Sequence, residues 1–369
     1  MKTIQLSTMK FAHALLTAAL FAVLVAGCGN SGDPETAGGS GDAAEGGNDN
    51  VMIEGMDASG LSGKGESIRL EFRLKKGDVF GYKIRTVEDV NLVQDSTASH
   101  NRNELEYGYK FEVLETDQAG GGTLRATCTY VKFNGEYESA GQQQKMEYDS
   151  RKQNPRETQK LYAQYNAPVN TPYEFVINGQ GMITAVNSSD DILKRLLFDD
   201  FNTTSFETKQ MLKQEYNSNG LKSVIQLAFQ RVPNGMVESD STWDYNWEGS
   251  IGFLKISNQA VYTLKGYEES GGDRIAHIHA LLKTTYTGPR KIDTGEGMAN
   301  IETFNVGGKG LAKFNASTGK PVSRRTKQTV EAKFFVEVPE DLKAADPNAH
   351  DFWLSQSAVV ENDISPLEF

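Results

Sequence analysis

The sequence is short of cysteine, histidine and positive charge. It holds 2 cysteines and 5 histidines in 369 residues, with 38 lysines and arginines against 49 acids, for a formal net charge of −11. Two cysteines, Cys28 and Cys128, cannot build the disulfide framework of a small secreted scaffold. The acidic balance excludes a nucleic-acid partner, because release of counterions from phosphates needs basic patches. The short basic cluster Arg151, Lys152, Arg156 and Lys160 reads as a solvated face. Catalytic spacings are also missing: there is no Gly-x-Ser-x-Gly elbow, no P-loop, no HExxH helix and no EF-hand run. Gly179-Gln180-Gly181 lacks the third glycine of a dinucleotide loop and leads into a strand pattern, so it reads as a hairpin turn. The sequence therefore calls for no enzyme and no cofactor.

The N-terminus carries a three-part export pattern. Lys2 and Lys10 supply positive charge, and Phe11 to Val25 is apolar apart from His13 and Thr17. That run is shorter than the ~20 residues a membrane-spanning helix needs. It ends in Leu24-Val25-Ala26-Gly27-Cys28, which resembles the lipobox of bacterial lipoproteins. The resemblance implies removal of residues 1–27, diacylglycerol on the Cys28 sulfur, acylation of the new N-terminus and membrane attachment through that lipid. The competing reading is a plain secretory signal in which a cysteine happens to follow the apolar run. One acyl chain binds a membrane only marginally, whereas two anchor it stably. Gly29 is not the aspartate that retains many lipoproteins in the inner membrane, so the expected site is the outer membrane, facing the periplasm or the cell surface.

Residues 28–66 follow as a lipidated cysteine and a flexible linker. From residue 29 the linker is rich in Gly, Ser, Ala, Asp and Glu, has no aromatic residue, and carries eight acids against one lysine. Such a segment cannot bury enough apolar surface to offset its ordering entropy. With Cys28 acylated, Cys128 is the only thiol left. The alternation Leu124, Ala126, Cys128, Tyr130 places it on an apolar strand face as an inert side chain.

The body is dominated by period-two patterns. Ile68, Leu70, Phe72 and Leu74 alternate with Arg69, Glu71 and Arg73; Phe80, Tyr82 and Ile84 repeat the pattern, as do Leu105, Tyr107, Tyr109, Phe111 and Val113. These predict half-buried antiparallel strands. A helical block interrupts them at 188–235. Ser188 and Asp191 open a stripe of Ile192, Leu193, Leu196 and Leu197; Thr204 and Glu207 open a second run to Tyr216, broken by Gly220; Leu221, Val224, Ile225, Ala228 and Val232 form a third. The flanking β halves, 67–187 and 236–369, echo each other in order. Gly77 to Tyr82 matches Ser239 to Tyr245, the hairpin Tyr109 to Phe133 matches Tyr262 to Tyr286, and Tyr173 to Asn187 with Gly179 and Gly181 matches Phe304 to Asn315 with Gly308 and Gly310. Degenerate duplication explains the echoes; so does the general tendency of antiparallel sheets to repeat hairpins.

The expected fold is mainly β: antiparallel, strongly curved or incomplete-barrel sheet from two similar halves, with a short helical block between them. It is similar to the incomplete barrels of periplasmic lipoprotein carriers. The segments LKKGDVFGY at 74–82, VINGQGMITAV at 176–186, VPNG to DSTW at 232–243 and GGKGLAKFNASTG at 307–319 resemble an uncharacterised, domain-of-unknown-function family of envelope lipoproteins. That resemblance covers most of the body and implies no activity.

Few residues suggest chemistry. His277 and His279 share one strand face and are weak metal candidates, needing a third ligand that the sequence does not identify. Without a metal they are surface or cavity-lining side chains. Asp190-Asp191, Asp199-Asp200 and Glu268-Glu269 are adjacent pairs, not carboxyls set across a cleft; the first suits a helix N-terminus. Trp243, Tyr245 and Trp247 alternate and can line an apolar or sugar-binding surface, or pack within a sheet. Two functions follow: a tethered module holding an apolar ligand in a curved sheet, or a structural or interaction subunit of an envelope protein complex with no small ligand. A hydrolase assembled from distant loops ranks last.

Overall fold

The structure, a computed structural model, describes residues 53, 56, 58–63, 66–187, 190–196, 218–233, 235–251, 254–293 and 297–369. Cys28, most of the linker, Leu197 and the run from Thr204 to Tyr216 lie outside them. The N-terminal half comprises β1 (Ile68–Arg69), β2 (Val79–Gln94), β3 (Thr97–Thr116), β4 (Gly122–Ser139), β5 (Gln142–Asp149), α1 (Arg156–Leu161), α2 (Ala163–Asn166), β6 (Tyr173–Ile177) and β7 (Ile183–Asn187). Among the described residues two helices follow, α3 (Asp190–Lys194) and α4 (Ser218–Gln226). The C-terminal half comprises β8 (Met236–Val237), β9 (Thr242–Ile251), β10 (Leu254–Ser270), β11 (Asp273–Tyr286), β12 (Lys291–Asp293), β13 (Met298–Asn315), β14 (Lys320–Glu337), α5 (Glu340–Ala345) and β15 (Phe352–Pro366).

Thirteen strands form one antiparallel sheet in the order β7-β6-β4-β3-β2-β15-β14-β13-β11-β10-β9, with β5 on β4 and β12 on β13. The two halves are therefore one sheet, joined where β2 pairs β15 from Tyr82↔Pro366 to Gln94↔Leu354. Each half is a meander, and both run across the sheet in the same direction. The strands are long: β3 has 20 residues, about 65 Å at ~3.3 Å per residue. Alternation makes one face of β2 inward, with Tyr82, Ile84, Thr86, Glu88, Val90 and Leu92 buried.

The edge strands β7 and β9 do not pair, so the sheet is not closed by backbone. One chain segment fills the opening between them. On the β7 side, Ile183 N–H donates to Gln226 Oε1 at 2.9 Å, Gln226 Nε2 donates to Gly181 O at 2.8 Å, and Val232 N–H donates to Gln180 O at 3.0 Å. On the β9 side, the Arg231 guanidinium lies 3.3 Å from the Tyr245 ring centroid. Tyr245 Oη itself reaches Met182 Sδ at 3.4 Å, so the two edges meet. Between them Phe229 is fully buried, with ring centroids 5.2 Å from Phe111, 5.6 Å from Phe175, 6.1 Å from Phe72 and 6.3 Å from Phe80. Gly181, at φ +80°, permits this close approach; a Cβ there would run into the Gln230 carbonyl and the Phe72 ring.

Several expectations are corrected. Only Ile68–Arg69 of the first alternating run is strand, paired with Met236–Val237; Leu70, Phe72 and Leu74 keep the buried alternation without a ladder partner, because their side chains cover the core while their backbone borders no strand of the large sheet. Gly220 does not break the chain but lies within α4, and that helix stops at Gln226, short of Val232. The stop is required by function of the segment in the seam: residues 230–232 must run extended to bond Gln180. The third echo between the halves fails, since Phe304 to Asn315 lies inside the single strand β13, and Gly307, Gly308 and Gly310 sit mid-strand rather than in a turn. The first two echoes fall on elements of the same kind, the starts of β2 and β9 and the hairpins β3–β4 and β10–β11.

Replacing Phe229 by Ala should cost about 3–5 kcal/mol, the range for emptying a buried aromatic site. Gln226→Leu should cost on the order of 2–4 kcal/mol by leaving Ile183 N–H and Gly181 O buried and unpaired. Urea unfolding measures both, and a loss below 1 kcal/mol for either would contradict the role given to this seam.

Candidate functional site

The aromatic triad nominated from sequence is on the inner face of β9, but the chain itself occupies it. Arg231 stacks on Tyr245 and lies 5.6 Å from the Trp247 ring, while Trp243 stacks on Tyr262 at 5.8 Å. Trp247 is buried. A guanidinium over aromatic faces is a favourable cation–π contact, stronger when desolvated as here. The triad therefore packs the seam and presents no open apolar wall at this point.

His277 and His279 lie on the outer face of β11, opposite the inward residues Ala276, Ile278 and Ala280. His277 Nε2 sits 3.3 Å from Glu268 Oε2 without hydrogen-bond alignment, and Glu268 is shared with Lys313 Nζ at 3.0 Å. Burial, reinforced by Lys313, lowers the His277 pKa; burial and Lys265 lower that of His279. Among the described residues no three His, Cys, Asp or Glu side chains group as a metal site. Cys128 is fully buried on the inner face of β4, and burial raises its thiol pKa well above the ordinary value, which leaves it unreactive.

The join between the halves carries an inward polar belt. Thr86 Oγ1 donates to Asn362 Oδ1 at 2.8 Å, and Asn362 Nδ2 donates to Thr326 Oγ1 at 3.2 Å, linking β2, β15 and β14. Glu88 is the next inward residue of β2. It is buried, and its Oε1 has no hydrogen-bond partner. Burial pushes its carboxyl up to about 8. No sequence signal marked it, because one acid within a strand looks like a solvent-facing residue.

The open cleft of the sheet lies elsewhere, on the outer side of β13. There β11 and β12 leave a fork: β11 pairs β13 only from Val306 onward and β12 only up to Asn300. Thr303, Phe304 and Asn305 are paired with β14 alone, and Thr285 and Tyr286 with β10 alone. A cleft of about 780 Å³ opens at this fork, lined among others by Lys283, Thr285, Arg290, Glu302, Asn305 and Glu331. None of these six side chains bonds another described side chain. A second hollow of about 300 Å³ shares Arg290, Ile301 and Glu302 with it and is floored by Phe335 and Trp353. The rings of Phe335 and Trp353 are 5.0 Å apart, and Trp353 is 39% exposed. The equivalent fork on β4, between β6 and β5, is closed by the chain itself. Val169 bridges Cys128 there, Asn170 N–H donates to Cys128 O at 2.8 Å, and Ser150 N–H donates to Val131 O at 2.9 Å. The β13 fork was missed because Gly308 and Gly310, just beyond it in the strand, were read as a turn; glycines inside a strand also mark close backbone approach or a ladder irregularity.

A mainly β protein built on one open, 13-stranded antiparallel sheet is the class these features define. The chain belongs to a family of unknown function, DUF6263, whose model matches residues 121–320. No curated protein matches the sequence. Among solved structures, a lipovitellin structure concerned with lipid–protein interactions is similar at 8% identity and a TM-score of 0.38 over 80% of this chain, which spans about a quarter (25%) of the lipovitellin chain. The Pseudomonas aeruginosa protein OccK7 (OpdD) matches 79% of this chain at 8% identity with a TM-score of 0.21. Scores this low carry no functional argument.

The Glu88 carboxyl gives a signed pH prediction. Its folded value lies above that of an unfolded glutamate, so its contribution to stability is full below pH about 4.5 and is lost as pH rises through 8. The loss is on the order of 5 kcal/mol between those limits. Urea unfolding at pH 5 and pH 8.5 should show wild type losing more stability than Glu88→Gln; equal losses would contradict the buried neutral carboxyl.

Proposed function

We propose that this protein is a lipid-anchored envelope lipoprotein whose β body serves as an interaction module for another protein. The observation that carries this reading is the outward-facing cleft at the β13 fork, with six polar side chains around it that bond no other described side chain and the exposed Trp353 beside it. Exposed aromatic side chains next to a concavity are the usual anchors of protein interfaces. The export pattern and the Val25-Ala26-Gly27-Cys28 segment support delivery to the envelope, with Cys28 as the lipidated residue. The acidic linker supports a reach away from an anionic membrane surface. The apolar-ligand reading has weaker support, because the apolar end of the inner face is packed by Phe229 and its Trp243–Tyr245–Trp247 stripe is covered by Arg231.

Two experiments test the reading. Cys28→Ser should move the protein from the membrane pellet to the soluble envelope fraction and abolish incorporation of labelled palmitate; unchanged pelleting without label would refute the anchor. A photo-crosslinking amino acid at Trp353 should give a discrete higher-mass adduct in cells, absent when the same group replaces Asn91 on the outer face of β2. Adducts of equal yield at both positions, or none at either, would count against an interaction module.

A further inference from the structure

The fork on β13 resembles the fork on β4 in its geometry and differs from it in being open. In each, one long strand carries two short-reach neighbours on the same side and a stretch between them where the ladder is missing. On β4 that stretch receives a turn of the chain, Pro168–Thr171, in which Val169 bridges Cys128 and Asn170, at φ +57°, donates its N–H to Cys128 O. On β13 the stretch Thr303–Asn305 faces a cleft instead. The molecule thus closes one such gap with backbone from another chain segment and leaves the other open.

The walls of the β13 gap favour an extended backbone. A single-sided strand edge offers backbone donors and acceptors in register for another extended backbone, which is the basis of recognition by strand addition. The volume, about 780 Å³, lies within the range of roughly 300–1,000 Å³ in which protein sites take small ligands or short peptide segments. The rim holds both signs of charge, Lys283 and Arg290 with Glu302 and Glu331, and none of the four is ion-paired to another described residue. Such a rim complements a chain that itself carries both signs and repels a uniformly charged polymer. The adjoining hollow floored by Phe335 and Trp353 offers an aromatic seat for one side chain next to the slit, with Lys333 Nζ 4.3 Å from the Trp353 ring centroid.

We propose that the slit between β11 and β13 is a peptide-binding site, which takes a short extended segment of mixed charge as an inserted strand against Thr303–Asn305, with one apolar side chain on Phe335 and Trp353. This rests on the interaction-module reading and names the chemistry of its partner.

Gly307 provides the test. A Cβ at Gly307 meets only the Leu282 carbonyl oxygen, at an ordinary 3.6 Å, so a large side chain can be placed in the cleft wall without backbone strain. The full chain bearing Cys28→Ser is used to select from a displayed library of random dodecapeptides, and the winners are measured by fluorescence polarisation. Selected peptides should carry both charges and one large apolar residue. Gly307→Trp and Trp353→Ala should each weaken binding at least tenfold at unchanged thermal midpoint. N-methylation of alternate peptide residues should abolish binding, while methylation of the intervening ones should leave it within about threefold, as a one-sided ladder requires. If Gly307→Trp lowers the thermal midpoint, Trp353→Ala and the methylation series decide alone. No enrichment, or peptides indifferent to these changes, would overturn the proposal. A crosslinked adduct at Trp353 in cells alongside that failure would leave the interaction module standing without strand insertion; loss of both would remove the two together.

Discussion

A long antiparallel sheet twists, but backbone pairing alone does not hold its two edges together unless they exchange hydrogen bonds. In this protein β7 and β9 exchange none. Their approach depends on a segment of about seven residues, Gln226 to Val232, which bonds β7 through its backbone and the Gln226 amide and grips β9 through Arg231. Phe229, at its centre, is the contact that converts a curled sheet into a packed one. Its ring meets Phe72, Phe80, Phe111 and Phe175, which come from the segment before β2, from β2, from β3 and from β6. The aromatic stripe of β9, the glycine turn at Gly181 and the early end of α4 are all consequences of fitting this segment into the seam.

The same constraint divides the molecule into regions with different work. The end of the sheet around Phe229 is closely packed by aromatic rings. The join of β2 and β15 is buried but polar, with the Thr86–Asn362–Thr326 chain fixing the pairing and Glu88 held neutral beside it. A hydrogen-bonded polar pair in a buried ladder favours one register over its neighbours, since a slip would leave those groups unpaired. The β13 fork is open. Lys283, Thr285, Arg290, Glu302, Asn305 and Glu331 on its rim bond no other described side chain, and Trp353 stands beside them partly exposed.

The fold was largely legible in sequence because period-two alternation survives wherever one face is buried. Tyr82, Ile84, Tyr107, Tyr109 and Phe111 all face inward as their spacing requires. The helices were less legible. Leu221, Val224, Ile225, Ala228 and Val232 have helical spacing, but the last two are placed by tertiary contacts after the helix has ended. α1 and α2 are too short to show a periodicity at all. For the site, composition marked Trp243, Tyr245 and Trp247 as aromatic and gave no means of knowing that Arg231, far along the chain in architecture though near in sequence, would cover them. The fork residues Lys283, Arg290, Glu302 and Glu331 carry no motif; they are related only by where two strands part. Gly308 and Gly310 were visible and were assigned to a turn, since glycine alone does not distinguish a reversal of the chain from a mid-strand position.

If the seam and the β2–β15 join make one cooperative body of the two halves, unfolding must be all-or-none. The residues allow this to be seen from both sides. All 3 tryptophans, Trp243, Trp247 and Trp353, lie in the C-terminal half, and Cys128 is buried in the N-terminal half. In the Cys28→Ser protein, where Cys128 is the single thiol, urea titration followed by tryptophan fluorescence and by Cys128 alkylation should give the same midpoint within error. Two separated midpoints, with the thiol exposed while the tryptophans remain in their native environment or the reverse, would show that the halves stand independently and that the seam does not hold the structure together.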